Sequence, residues 1–360
     1  MVSGSRLTKA PALADYHSTN RQNRYNPRLS AWNTSKNMLL ALSAIVIGLA
    51  LLVWSSDKFV DGASGIARNL GLSPLIIGIT IVGLGTSAPE MLVSAIASFQ
   101  GNPSLGVGNA IGSNIANIAL ILGVTALVAP VVISSGLIRL ELPILLGGML
   151  FGLFLILDGY LGFTDGLLLA LALFVVMGIL LYDAMHVKSS DALIGEIAGE
   201  ADIQMPLKTA IMWFGIGLLV LLISARMLVW GAVDVAHAFG ISDLVIGLTI
   251  VAIGTSLPEL AASIASARKG ESDIAVGNVI GSNLFNLFGV MSIPGLVAPS
   301  ALPSGVLHRD YPLMLILTAA LFLMAFRFRS NTPSRRINRF EGLALTGTFI
   351  AYQAWLFLAP

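Results

Sequence analysis

Gly85-Thr86-Ser87-Ala88-Pro89-Glu90 and Gly254-Thr255-Ser256-Leu257-Pro258-Glu259 are one pattern written twice, 169 residues apart. A second pattern keeps that offset. Gly108-Asn109 with Gly112-Ser113-Asn114-Ile115-Ala116-Asn117 returns as Gly277-Asn278 with Gly281-Ser282-Asn283-Leu284-Phe285-Asn286. Residues 71–117 align with 240–286 without a gap and about half the positions are identical, so each half of the chain carries one copy of the same unit. Each copy sets a proline, a glutamate, hydroxyls and amides in a stretch apolar enough to cross a bilayer. Ionisable groups placed there mark ion or substrate sites.

Composition fixes the class around these motifs. Hydrophobic residues make up 56% of the chain and charged ones only 11%, with a mean hydropathy of +0.87. A water-soluble domain needs about a quarter of its residues charged, so this is a polytopic membrane protein. A spanning helix takes about 20 mostly apolar residues. The apolar runs divide into about ten, near 38–55, 72–98, 105–128, 140–157, 162–183, 209–234, 241–267, 274–298, 312–327 and 341–358. They are continuously apolar, without the alternation of outer-membrane strands, so the expected fold is all-α. Cysteine is absent, which excludes disulfides and thiolate metal sites. The net charge of +1 offers no footing for a nucleic-acid partner.

Lys and Arg placement sets an orientation. The loop after the first span and every second loop thereafter collect Lys58, Arg68, Arg139, Lys188, Lys208, Arg268, Lys269, Arg327, Arg329, Arg335, Arg336 and Arg339. The opposite loops offer Arg309 and Arg226. The first face is therefore expected in the cytoplasm, with both termini outside, in a cytoplasmic or inner membrane. The tail, residues 1–37, disagrees. It carries Arg6, Lys9, Arg21, Arg24, Arg28 and Lys36 against the single acid Asp15. A tail that translocates anyway, a targeting segment removed later, or a start of translation at Met38 would each reconcile it. The last is favoured, and finding residues before Leu39 in the mature protein would refute it.

Residues 38–183 form a first five-helix repeat and 209–360 a second, joined by a cytoplasmic linker, 184–208, the longest polar stretch. An odd number of spans per half makes the second copy enter from the opposite side, so the repeats are inverted, as in many secondary transporters. Both glutamates then lie at equivalent depth near the midplane. The linker acids Asp191, Glu196, Glu200 and Asp202 lack the spacing of a calcium loop and are read as a solvated segment.

Pro89 has no N–H, and its ring crowds the carbonyl four residues back, so the helix should break near Gly85 and free the carbonyls of Gly85 and Thr86. Pro258 repeats this at Gly254 and Thr255. Thr86, Ser87 and Glu90 share one helix face, as do Thr255, Ser256 and Glu259. The result is an all-oxygen donor set suited to Ca²⁺, Na⁺, Mg²⁺ or Mn²⁺ rather than zinc or copper. A carboxylate at mid-bilayer costs roughly 2.5–3.5 kcal/mol, and a second facing it adds repulsion. One bound divalent ion, or two or three monovalent ions or protons, would cancel that charge. This is the physical basis for exchange. In the second motif, Gly108 with Gly112 and Gly277 with Gly281 are close-packing pairs. Ser113 with Asn117 and Ser282 with Asn286 add oxygens, while Asn109, Asn114, Asn278 and Asn283 are read as structural rather than ligating. Asp57, Lys58 and Asp61 have Arg226, Met227 and Trp230 as repeat equivalents, so they are assigned to interfacial anchoring or local pairing. Glu141, Asp158, Asp165, His186, His237 and His308 fall near span ends or loops in no ligand pattern.

The paired Gly-Thr-Ser-x-Pro-Glu and Gly-Asn-x-x-Gly-Ser-Asn-x-x-Asn motifs resemble the two α-repeats of the calcium/cation antiporter family, which includes the sodium/calcium exchangers. The likeness covers residues 38–358. It implies a ten-span antiporter whose central site lies among the second, third, seventh and eighth spans, with Ca²⁺ and Na⁺ as transported ions, the bilayer as partner and no resident cofactor. By the resemblance, Glu90 and Glu259 bind Ca²⁺ with the carbonyls of Thr86 and Thr255. Ser87, Ser256, Ser113, Ser282 and Asn117 help bind Na⁺, with the Ala252 carbonyl a further ligand. Some prokaryotic relatives carry aspartate where this chain has Asn286, so two acids are expected here rather than three.

Alternating-access exchange of Na⁺ for Ca²⁺ is the leading expectation, and H⁺ or K⁺ coupling on the same fold is its rival. A cation channel fits less well, because the acids form one related pair rather than a ring. An intramembrane hydrolase using Ser87 or Ser256 lacks any base besides the glutamate. The chain is not expected to be an enzyme.

Overall fold

The computed structural model describes residues 27–133, 140–186, 205–240, 252–303, 305–326 and 335–358, with side chains of the first helix from Met38 onward. The tail before Pro27, most of the linker, and the part of the seventh expected span before Ala252 lie outside the described residues.

The molecule is all-α and polytopic. Helix α1 runs Pro27–Leu70. A bent pair follows, α2 (Pro74–Thr86) and α3 (Ala88–Phe99). Then come α4 (Pro103–Val128), α5 (Glu141–Leu155) and α6 (Phe163–His186). The second half supplies α7 (Leu207–Ala238), the short α8 (Ala252–Thr255), α9 (Leu257–Arg268), α10 (Ser272–Val297), α11 (Val306–Ala325) and α12 (Arg339–Leu358). Local chemistry punctuates them. Ser73 accepts from Ile76 N at 3.3 Å as N-cap, with Pro74 in the first turn, where its missing N–H costs nothing. Turn glycines recur at the repeat offset: Gly71 (φ 60°) matches Gly240 (φ 75°), and Gly101 (φ 79°) matches Gly270 (φ 80°). That left-handed backbone is unstrained only for glycine.

Two small sheets display the inversion. After α4, β1 (Val131–Ile133) pairs with β4 (Arg335–Ile337), which precedes α12. After α10, β3 (Ser300–Ala301) pairs with β2 (Tyr160–Leu161), which precedes α6. Since α4 corresponds to α10 and α6 to α12, each sheet joins the two repeats and is the other's counterpart. Five spans separate corresponding strands, so the sheets cap opposite faces of the bundle.

Burial runs opposite to that of a soluble protein. Leu39, Phe99, Phe154, Phe174 and Leu219 point outward, where lipid covers them, while Ser94, Asn114, Asn117, Ser263, Asn278 and Asn286 are buried. The most apolar window of α10 is 100% buried and that of α4 72%, against 17% for α6 and 28% for α1 and α7. Hence α4 and α10 form the centre. One apolar core joins α4, α5, α10, α11 and α12, and a second joins α1 and α7 to flanks of α2, α9 and α10. Backbones approach closely where glycines allow. A Cβ on Gly277 would sit 2.6 Å from Leu75 O, and one on Gly281 would strike Ile79 O. The positions equivalent to Leu75 and Ile79 in the second repeat, 244 and 248, lie outside the described residues, and so does the close approach expected of Gly108 and Gly112.

Candidate functional site

Both expected breaks are present. Helix α2 stops at Thr86, Ser87 leaves helical geometry at φ −82°, ψ 0°, and α3 departs at 41°. Ser87 N donates to Gly83 O at 3.0 Å and Met91 N to Ser87 O at 3.1 Å, while Pro89 has no N–H to give Gly85 O. In the second copy Ser256 sits at φ −90°, ψ 6°. Its N–H reaches Ile253 O at 3.1 Å, and Leu260 N donates to Ser256 O at 3.0 Å. Glu90 and Glu259 thus stand in the first turns of α3 and α9, where the positive end of the helix dipole favours an anion. Each is only 1% exposed.

The two halves cross at this point. Thr86 and Ser87 lie beside Glu259, Thr255 lies beside Glu90, and the glutamates are within electrostatic reach of one another. The opposite wall comes from α4 and α10. Thr86 Oγ1 donates to Asn278 Oδ1 at 3.0 Å and stands 3.3 Å from Ser282 Oγ. Asn117 Nδ2 donates to Asn283 Oδ1 at 3.1 Å. Both walls widen into π-helical turns at matching places, Asn117–Leu122 and Phe285–Val290. Such turns recur at functional sites because they reset the direction of side chains and free a carbonyl.

Among the described residues many polar atoms in this buried volume have no hydrogen-bond partner: Ser87 Oγ, both carboxylate oxygens of Glu90, Glu259 Oε2, Ser256 Oγ, Asn117 Oδ1 and both amide heteroatoms of Asn286. An unpartnered buried group ordinarily costs about 1–3 kcal/mol. A cluster of this size, rich in oxygen, is the signature of a donor shell for cations. Among the described residues no group of three or more His, Cys, Asp or Glu is arranged to hold a metal. The carboxylates here number two, and the rest of the shell is hydroxyl, amide and backbone.

Of the sequence-derived residues, Thr86, Ser87, Glu90, Thr255, Glu259 and Ser282 meet across the repeats. Thr86, Ser87, Glu90, Ser113, Asn117, Ser256, Glu259, Ser282 and Asn286 are all buried. Thr255 is half-buried and opens on a lateral cavity of about 510 Å³ lined also by Pro89, Arg226 and Pro258. Ala252 begins α8. Asn109 and Asn278 take the structural role read for them: their amides donate to Glu90 O at 3.1 Å and Glu259 O at 3.2 Å, pinning α4 to α3 and α10 to α9 alike. Asn114 donates to Met314 Sδ at 3.4 Å. Sequence reasoning missed Ser94 and Ser263. Ser263 Oγ accepts from Asn278 Nδ2 at 3.0 Å, and Ser94 Oγ donates to Val290 O at 3.0 Å. Their signal was available, since each follows its glutamate by four residues in both copies.

The model of the sodium/calcium exchanger protein family matches residues 40–182 and 209–358, one match in each half. The chain belongs to that family. It resembles the putative antiporter CaxA of Alkalimonas amylolytica at 46% identity over 320 residues, covering 89% of this chain and 99% of the relative. It resembles the sodium/calcium exchanger MaX1 of Methanosarcina acetivorans at 31% identity, covering 87% and 97%. Among solved structures it superposes on the sodium-calcium exchanger NCX_Mj soaked with Na⁺ and Ca²⁺, with a TM-score of 0.74 and 32% identity over 88% of this chain and 98% of that one. As a family member the protein is a multi-pass membrane cation antiporter and not an enzyme.

Proposed function

We propose that this protein exchanges Na⁺ for Ca²⁺ by alternating access through a midplane site built on Glu90 and Glu259. What carries the reading is the pair of buried carboxylates, one from each inverted repeat, beside orphaned hydroxyl and amide oxygens. The exchanger names of its relatives support the choice of ions.

In this reading Ca²⁺ lies between the carboxylates, and the carbonyls of Thr86 and Thr255, released by the proline breaks, complete its oxygen shell. Na⁺ ions entering from the other side take the Ser87, Ser113, Ser256, Ser282, Asn117 and Asn286 oxygens, with the Ala252 carbonyl, and neutralise the same two acids. The empty site carries two uncompensated negative charges in low dielectric. Crossing between access states in that condition costs more than crossing loaded. Transport of one ion is thereby tied to return of the other. Asn286 supplies an amide where a third carboxylate would add charge and a proton site, so two acids balance one Ca²⁺.

The test is ⁴⁵Ca²⁺ uptake into proteoliposomes loaded with Na⁺, with K⁺, or with an acid interior, for the parent and for Glu90→Gln and Glu259→Gln. Uptake driven by internal Na⁺ and abolished in both variants is expected. Uptake following the K⁺ or proton gradient would replace the coupling ion, and flux indifferent to every counter-ion would make the protein a channel.

A further inference from the structure

The end of α1 away from Met38 presents Asp57, Asp61, Ser64 and Arg68 along one helical stripe. This stripe meets the turn between α9 and α10. Lys269 Nζ donates to Asp61 Oδ1 at 2.6 Å and to Asp57 O at 2.9 Å, with Asp57 Oδ1 at 3.9 Å. Two residues on, Glu271 Oε1 accepts from Ser64 Oγ at 2.6 Å and from Arg68 Nη2 at 3.2 Å. Lys58 Nζ closes the group, 3.7 Å from Asp61 Oδ2. The bonds line a surface cleft of about 430 Å³.

Two features make this cluster more than surface decoration. First, it adds polar bonds from α1 to the turn between two spans that carry site residues. Helix α1 is keyed to α7, with Gly62 against Phe214 and Gly217 against Phe59, whereas Lys269 and Glu271 belong to the turn joining the two spans that carry Glu259 and Asn286. Second, the inverted repeat does not copy it. At the opposite face the equivalents of Asp57, Asp61, Ser64 and Arg68 are Arg226, Trp230, Val233 and His237, and those of Lys269 and Glu271 are Gln100 and Asn102. No carboxylate stands among those six, so they do not repeat this acid–base clasp. Inverted repeats of identical sequence would give two access states of equal energy, and any bond present on one face only shifts that balance.

We propose that the Asp57–Asp61–Lys269 and Ser64–Arg68–Glu271 contacts form a one-sided latch. It holds shut the face expected to be cytoplasmic and biases the ion-free protein toward the state open to the other side. The proposal rests on the alternating-access reading above. Each half-exposed pair contributes modestly and weakens as salt rises, which leaves the latch able to bias a transport cycle without blocking it.

The chain has no cysteine, so single reporters can be introduced directly into the full-length protein in nanodiscs. Val60 lines the latched cleft and is 1% exposed. Its repeat equivalent, Val229, lines the lateral cavity beside Thr255. Modification by a charged thiol reagent is timed for Val60→Cys and Val229→Cys, each with and without Lys269→Gln plus Glu271→Gln. The paired substitution should speed Val60→Cys about fivefold and slow Val229→Cys, while Lys269→Arg, which keeps the charge, should leave both near the parent rate. An unchanged Val60→Cys rate, or faster reaction at both reporters as general loosening would give, overturns the latch. Adding Ca²⁺ or Na⁺ to the parent separates the two levels of inference. Reporters that respond to ions but not to the latch substitutions defeat the latch alone, and reporters indifferent to both defeat alternating access with it.

Discussion

Replacing Asn278 by leucine should harm the protein about three times as much as replacing its repeat equivalent Asn109, although the two occupy identical places in the duplicated motif. Asn278 is fully buried and makes three contacts: to Glu259 O at 3.2 Å, to Ser263 Oγ at 3.0 Å and from Thr86 Oγ1 at 3.0 Å. Asn109 is half-buried and among the described residues donates to Glu90 O at 3.1 Å. Leucine keeps the approximate volume and removes the polar atoms. At about 0.5–1.5 kcal/mol net per hydrogen bond, Asn278→Leu loses about 3 kcal/mol and Asn109→Leu about 1 kcal/mol. In a chain of this length those losses correspond to roughly 3–5 °C and 1–2 °C in Tm, read from thermal unfolding of detergent-purified protein at fixed Ca²⁺. Asn278→Leu also releases Thr86, so Ca²⁺-driven stabilisation should shrink in that variant and persist in Asn109→Leu. Equal losses, or a larger loss at Asn109, would refute the reasoning that the second repeat carries the tighter clasp between the halves.

Glu90→Gln and Glu259→Gln should fold, because each removes a buried charge, and should lose the roughly 2.7 kcal/mol of stabilisation that saturating Ca²⁺ at about 100 times Kd confers. Differential scanning fluorimetry with and without Ca²⁺ reads this, and full retention of the shift in both would remove the glutamates from the site. Gly281→Ala drives a methyl into Ile79 O and should cost about 1–3 kcal/mol by overpacking. Gly178→Ala, facing open space on α6, should leave Tm unchanged or slightly higher, and the pair can be compared by unfolding in one detergent. Tyr311→Phe loses the 2.7 Å bond from the phenol to Met149 O, for about 1 kcal/mol and a Tm drop of about 1–2 °C with transport intact.

The sequence by itself determined the all-α polytopic class, the duplication and the breaks at Pro89 and Pro258, since hydropathy, repeat spacing and the missing proline N–H are local properties. It also singled out Glu90 and Glu259 as the candidates to propose, because a carboxylate in an apolar span is costly to keep. Only the tertiary structure decided which side chains meet. Thr86 on Asn278 and Asn117 on Asn283 are contacts between repeats 192 and 166 residues apart, and no spacing rule reaches that far. The π-helical turns after Ser113 and Ser282 were also invisible, because they arise from packing in the centre of the bundle rather than from a propensity of Asn117 or Phe285. Asp57 and Asp61 show the same limit. Their unlike repeat equivalents marked them as interfacial anchoring or local pairing, and Lys58 does pair with Asp61, yet the shorter bond comes from Lys269, more than two hundred residues away. Duplicated sequence predicts duplicated backbone, but charges that differ between copies acquire meaning only when folding sets each against its own neighbours.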